Sequence, residues 1–96
     1  MRKMNAITDE SRPVLARGVR LRTDPLTAEP LLLYPEGFLP LDETTHDILI
    51  RCNGKLTIGG IVDALSEEYD AKPDELRDDV TQCLEHLRTE MLVTLT

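Results

Sequence analysis

The chain has 96 residues and a formal net charge of −7, with 18 acidic against 11 basic side chains. This length allows one domain with a modest core and excludes an active site formed in a cleft between two domains. Only 3% of the residues are aromatic, so Leu, Ile and Val must fill the core. No apolar run approaches the roughly 18 residues that span a membrane. The polar start does not resemble a secretory signal, and a cytoplasmic protein is expected.

The charge is unevenly distributed along the chain. Residues 1–41 hold six Lys/Arg and five Asp/Glu, whereas residues 42–96 hold five and thirteen. An acidic second half repels phosphates, which argues against nucleic acid as a partner. Cys52 and Cys83 fall in segments typical of apolar helix faces, and a reducing compartment keeps such thiols free.

The first third of the chain predicts a tail and two strands. Residues 1–12 show no periodicity and are expected to be a flexible tail before a single domain at residues 13–96. An alternating pattern over Val14–Arg22 predicts a first strand with a basic outer face. Asp24-Pro25 opens a turn, which predicts an antiparallel hairpin with a long loop. The second strand, Leu31–Tyr34, is apolar on both faces and is therefore either central or half of an interface.

A third strand is predicted at Phe38–Leu41, after a corner at Pro35-Glu36-Gly37. Gly37 is free to adopt a positive φ in this corner. Pro40 lacks an amide hydrogen and is typical of an edge strand. An edge strand leaves main-chain groups free, and these can pair with a further strand.

Three helices are predicted after the strands. Asp42 and Thr57 are typical N-cap residues, and Pro73 favours the start of the third helix. Asn53-Gly54 is expected to end the first helix. Gly59-Gly60 indicates either a close approach of another backbone or a late start of the second helix. Apolar residues at offsets of three and four predict the inner faces, which are Thr45, Ile48, Leu49 and Cys52, then Ile58, Ile61, Val62, Leu65 and Tyr69, and then Leu76, Val80, Cys83, Leu84, Leu87 and Met91.

These elements predict an α+β fold that is winged helix-turn-helix-like, with an N-terminal three-stranded antiparallel sheet followed by a three-helix bundle. The end of the chain is left open. Residues Leu92–Leu95 fit either a short final strand or a frayed end of the third helix.

No catalytic or metal-binding arrangement emerges from the sequence. His46 and His86 are the only histidines, and Cys83 with His86 supplies two ligands where a structural zinc site needs four. A glycine-rich phosphate loop is absent. We therefore expect no enzyme activity, no cofactor and no metal. The acidic third helix is also unsuited to reading DNA.

A groove between the third strand and the third helix is the candidate binding surface. Free main-chain groups on one wall and an apolar, acid-rimmed helix on the other suit an extended peptide. Periodicity alone favours the alternative, in which the same apolar side chains are ordinary core.

Several blocks of sequence, taken in order, resemble the PqqD family, the D proteins of pyrroloquinoline quinone (PQQ) biosynthesis, from about Pro13 to Val93. The blocks are Gly18-Val19-Arg20-Leu21-Arg22-Thr23-Asp24, Leu32-Leu33-Tyr34-Pro35-Glu36-Gly37, Leu41-Asp42-Glu43-Thr44, Ile48-Leu49, Cys52-Asn53-Gly54, Thr57, Asp79-Val80, Leu84 and Leu87.

The resemblance implies a peptide chaperone that is not an enzyme. Proteins of this family are precursor-peptide recognition elements (RREs). They bind a ribosomally made precursor and present it to a radical S-adenosylmethionine (SAM) enzyme. Homologous domains hold the peptide as an added strand, here against Gly37–Leu41 and Pro73–Met91. The implied peptide-binding residues are Gly37, Phe38, Leu39, Leu41, Leu76, Arg77, Val80, Thr81 and Leu84.

In this hypothesis the peptide pairs along Phe38 and Leu39, its apolar side chains pack on the third helix, and Arg77 lies at the rim. Either the acidic helical face or the basic first strand would meet the enzyme. The alternative is a homodimeric scaffold without its own ligand, which buries Leu32 and Tyr34 between subunits.

Overall fold

The fold comes from a computed structural model that describes residues 7–96. Within that range the strands form two antiparallel sheets, β2-β3-β4 and β1-β5, which pack with three helices as an α+β fold. No helix in the described range is long and apolar enough to cross a membrane. The elements are β1 Pro13–Leu15, β2 Arg20–Thr23, β3 Pro30–Tyr34, β4 Gly37–Pro40, α1 Glu43–Leu49, α2 Ile58–Tyr69, α3 Pro73–Thr89 and β5 Val93–Leu95.

The first predicted strand, Val14–Arg22, is wrong as a single element. It is broken at Gly18, whose φ of +80° belongs to a turn, and the Val19 amide donates to the Ala16 carbonyl at 3.1 Å. β1, on one side of the turn, pairs with β5, and β2, on the other side, pairs with β3. The pairing of β5 also decides the end of the chain in favour of a final strand.

The three-stranded sheet has β3 at its centre, as one reading of its two apolar faces predicted. Leu32 is fully buried, because it lies between Leu21 and Leu39 on the face that packs on the core. A two-residue turn joins β3 to β4 and is closed by the extended pair of Tyr34 and Gly37. Gly37 therefore does not use the positive φ that is open to it.

The helix starts follow the predicted caps. The Asp42 carboxylate accepts from the Thr45 amide at 2.7 Å, and the Thr57 hydroxyl accepts from the Gly60 amide at 3.0 Å. α1 ends at Leu49, earlier than predicted. Gly54 instead crosses β1 with a φ of +78°, and its amide donates to the Pro13 carbonyl at 3.0 Å.

One aliphatic core lies between the helices and the two sheets. Two residues predicted to face it lie outside. Tyr69 is 36% exposed, and its hydroxyl donates to the Asp47 carboxylate. Met91 is 81% exposed and has a φ of +63°, because the chain leaves α3 two residues earlier. The buried set is Val19, Leu32, Leu41, Ile48, Leu49, Cys52, Ile58, Ile61, Val62, Leu65, Val80, Leu84, Leu87, Leu92 and Val93.

The expected tail falls partly outside the described residues, which begin at Ile7. From Asp9 onward the segment is hydrogen bonded to the domain. The Asp9 carbonyl accepts from the Gly59 amide at 2.9 Å, and the Ser11 carbonyl accepts from the Ile58 amide at 2.8 Å. Of the two explanations for Gly59-Gly60, the close approach is correct, because a Cβ on Gly59 would lie 3.4 Å from the Asp9 carbonyl oxygen.

Candidate functional site

β4 is an edge strand whose outer side is free of other strands in the described part of the chain. Beyond it, the Leu41 amide donates to the Pro30 carbonyl at 3.0 Å. Bonded and non-bonded pairs alternate in an antiparallel ladder, so Leu39 also bonds inward, whereas Phe38 and Pro40 turn their backbone groups outward. The free edge therefore offers the N–H and C=O of Phe38 and the C=O of Pro40.

A groove lies between β4 and the C-terminal half of α3. A cavity of about 300 Å³ in this groove is mostly apolar, with Asp42, Thr45 and His86 as polar groups. A larger cavity of about 390 Å³ lies at the other end of β4, beside the β3–β4 turn and the residues that follow α3. The cavity in the groove is lined by Leu39, Pro40, Leu41, Asp42, Thr45, Cys83, His86 and Leu87.

Two titratable groups in the groove, Asp42 and Cys83, have shifted pKa values. The backbone amide of Thr45 donates to Asp42 and lowers the pKa of its carboxyl, so that this end of the groove is anionic at neutral pH. Burial raises the pKa of the Cys83 thiol, which keeps it neutral and a poor nucleophile. The free backbone groups of β4 can therefore pair with another extended main chain, whose side chains would pack on the apolar groove.

The structure separates the predicted site residues into two groups. Gly37, Phe38, Leu39 and Leu41 lie on β4 or directly after it. Of these, Leu39 and Leu41 line the groove. The residues predicted on α3 lie elsewhere and line neither of the two cavities, namely Leu76, Arg77, Val80, Thr81 and Leu84.

Burial or an ion pair accounts for the positions of three of these residues. Val80 and Leu84 are 1% and 0% exposed and belong to the core, so they offer a peptide no surface. The Arg77 guanidinium donates to Asp9 at 2.9 Å and to Asp74 at 3.0 Å. It is therefore directed to the N-terminal segment and away from β4.

The residues of α3 that do face β4 are Cys83, His86 and Leu87. Their spacing of three and four marks one helix face, and this signal was available in the sequence. Periodicity identifies such a face but does not say which part of a long helix lies opposite a strand. Cys83 was predicted on the inner face of this helix and was weighed with His86 as a metal ligand, but neither residue was predicted in the peptide site.

Fold and groove together define a small α+β domain with an open strand edge beside a helix. The family model for coenzyme PQQ synthesis protein D (PqqD) matches residues 29–93. The chain belongs to this family.

Curated relatives and solved structures support the assignment. A PqqA binding protein of Rhodopseudomonas palustris strain TIE-1 is 35% identical over 89 residues, which cover 93% of this chain and 87% of the relative. A PqqA binding protein of Xanthomonas axonopodis pv. citri is 33% identical over 92 residues, which cover 96% of this chain and all of the relative.

Two solved structures are similar, each at 31% sequence identity. One is the solution NMR structure of the PqqD truncation of Methylobacterium extorquens PqqCD, described as a functional and stand-alone recognition element for ribosomally synthesized and post-translationally modified peptides (RiPPs). It has a TM-score of 0.80 and covers 93% of this chain and 95% of that one. The other is the crystal structure of PqqD from Xanthomonas campestris, with a TM-score of 0.56 and coverages of 91% and 97%.

Proposed function

We propose that this chain is a peptide chaperone of PQQ biosynthesis, active in the cytoplasm and not itself an enzyme. It binds the ribosomally made precursor peptide and presents it to the radical SAM enzyme of the pathway. The names of the curated relatives and the description of the Methylobacterium neighbour support this role. The structural observation that carries the proposal is the free edge of β4 beside the groove.

The peptide binds as a further strand along β4. Its main chain pairs with the outward N–H and C=O of Phe38, and its side chains point alternately into the groove and away from it. Inward side chains pack on Leu39, Cys83 and Leu87, while His86 and Asp42 contact polar groups at the rim. Ordering a flexible peptide costs about 2–5 kcal/mol, so the affinity is modest even on a preformed edge.

The proposal includes the predicted likeness of the fold to a winged helix-turn-helix. α2 and α3 correspond to the helix pair of a winged helix-turn-helix, and the β2-β3-β4 sheet takes the place of the wing. The acidic α3, which is unsuited to DNA, leaves this scaffold free to recognise a peptide.

The alternative of a homodimeric scaffold was motivated by the apolar side chains of Leu32 and Tyr34, which were expected to need a partner subunit to cover them. Leu32 is fully buried within a single chain, and Tyr34 is half-buried against the same core. A partner subunit is not needed to cover either side chain.

The test is a pair of substitutions at one position. Phe38→Pro removes the outward amide, whereas Phe38→Ala keeps that amide and removes only the side chain. In titrations of labelled protein with the precursor peptide, we expect amide shifts at residues 37–39, 41 and 83–91 in the Phe38→Ala variant. We expect no amide shifts in Phe38→Pro at the peptide concentration that saturates Phe38→Ala. Equal affinity of the two variants, both folded by circular dichroism, would contradict strand addition at β4.

A further inference from the structure

The outer sheet face is the side of the β2-β3-β4 sheet that faces away from the core. Residues directly opposite one another on antiparallel strands lie on the same face, so two cross-strand rows form this surface. Arg20 and Arg22 are exposed, Leu31 and Leu33 are half-buried, and Phe38 is 60% exposed. The rows that define the outer sheet face are Arg20–Leu33–Phe38 and Arg22–Leu31–Pro40.

The two arginines of this face differ from those of the helical half. Arg51, Arg77 and Arg88 each have a carboxylate oxygen within 3.0 Å. Among the described residues, Arg20 and Arg22 have no such partner, although the chain carries 18 acidic side chains. Their neighbours across the strand are leucines. The guanidinium groups of Arg20 and Arg22, unpaired within residues 7–96 and beside half-buried leucines and the exposed Phe38, are complementary to a protein surface in which carboxylates surround an apolar patch.

We propose that the outer sheet face is the docking surface for a partner protein with such an acidic-rimmed apolar patch, and that a bound peptide extends this face. The proposal rests on the peptide-binding function proposed above. A strand added to β4 continues the sheet, so every second peptide side chain stands on the outer sheet face beside Phe38. The partner therefore contacts chaperone and peptide together, and binds the loaded chain more tightly than the empty one.

Other occupants fit this face less well. Two-fold pairing of the face with a second copy would bring Arg20 and Arg22 close to their own copies. Contact of the face with the acidic helices of a second copy is heterologous and would produce rings or open chains of many copies. A nucleic acid or anionic membrane meets only two arginines here, on a molecule with a net charge of −7. A protein that must reach the peptide also needs access beside it, and α3 closes the opposite side of the groove.

The experiment compares two charge-reversal variants that change the net charge equally. Arg20→Glu/Arg22→Glu alters the outer sheet face, and Arg12→Glu/Lys55→Glu alters exposed residues that lie outside it. The probe is the purified radical SAM enzyme of the pathway, titrated against each variant with and without saturating precursor peptide. Peptide affinity is measured separately.

We expect the enzyme to bind Arg20→Glu/Arg22→Glu at least about tenfold more weakly than the control variant, while peptide affinity stays within about twofold in both. We also expect the loaded wild-type chain to bind the enzyme more tightly than the empty one. If charge reversal unfolds the sheet, Arg20→Gln/Arg22→Gln tests the same point with milder changes.

Three results would overturn the docking surface. The first is an unchanged enzyme affinity in Arg20→Glu/Arg22→Glu, and the second is an equal enzyme affinity of the empty and the loaded chain. The third is that the wild type self-associates or binds anionic vesicles and that Arg20→Glu/Arg22→Glu loses this binding. In each case intact peptide binding would leave the proposed function standing. A wild-type chain that fails to bind the precursor peptide would contradict the proposed function instead.

Discussion

The Cys52 thiol is buried against α1, and its burial raises its pKa to about 12. In the unfolded chain the same thiol has its ordinary pKa of 9.0. The stability that the protonated thiol contributes is therefore fully present below about pH 9 and is lost as the pH rises through the folded pKa. Tyr69 acts in the same direction, because its hydrogen bond to Asp47 raises the pKa of the phenol to about 12.

We predict that the free energy of unfolding of the wild type falls between about pH 7.5 and pH 10, and that Cys52→Ala reduces this fall. Urea titrations at the two pH values measure it. The comparison uses the change with pH, because the substitution also leaves a cavity that lowers stability at every pH. Tyr69→Phe removes the second titrating group, so that its part of the fall is measured separately from that of the thiol. An identical pH dependence in Cys52→Ala and the wild type would exclude a role for the thiol.

At the scale of elements, the start of α1 depends on one carboxylate. Asp42→Ala should lower the free energy of unfolding by about 1 kcal/mol, whereas Asp42→Asn keeps an acceptor and should cost less. The pKa of Asp42 is lowered from 3.8 in the folded protein, so its charge contributes stability above about pH 4. That contribution is lost as the pH falls through the folded pKa. Thermal unfolding of the three proteins at neutral and acidic pH tests both points, and a cost for Asp42→Ala that persists in acid would contradict this assignment.

The two halves of α3 should respond differently to substitution. His86 lines the groove, whereas Arg77 pairs with Asp9 near the other end of the helix. We predict that His86→Ala weakens peptide binding by about fivefold, the equivalent of roughly 1 kcal/mol. Arg77→Ala should leave peptide affinity unchanged and cost less than about 1 kcal/mol of stability, as exposed ion pairs do. Calorimetric titration of both variants decides which half of α3 contacts the peptide, and a larger loss in Arg77→Ala would move the site.

At the scale of the whole molecule, the segment before β1 ties distant elements together. Ser11 and Asp9 bond to the first turn of α2, and Arg12 and Thr96 exchange two backbone hydrogen bonds, of 3.2 and 2.8 Å. We predict that a chain starting at Pro13 is less stable than one starting at Ile7 by about 2–4 kcal/mol, at roughly 1 kcal/mol for each lost bond. Urea titration measures this difference. Peptide affinity should be equal in the two chains at low temperature, and a loss of binding would place the segment in the site.

Features that depend on neighbouring residues could be predicted from the sequence, whereas features that depend on distant contacts could not. The caps Asp42 and Thr57 and the inner faces of the helices depend on residues within a few positions of each other, and they were predicted. The break at Gly18 was missed, because side chains alternate on both sides of the turn and only the distant β5 pairs with β1. The part of α3 that faces β4 was misplaced for the same reason, since it depends on tertiary packing. The free edge was anticipated because Pro40 is a local signal.

The antiparallel pairing of β1 with β5 brings Pro13 opposite Leu95. Residues 13 and 95 therefore lie side by side in the folded domain, while residues 9–11 continue along the first turn of α2. A second protein fused after Thr96 would start beside β1 and β5, whose residues line neither of the two cavities. A linker of moderate length could then hold a fused enzyme at a millimolar effective concentration around the bound peptide. In such a fusion, delivery of the peptide would no longer depend on how often two separate molecules meet.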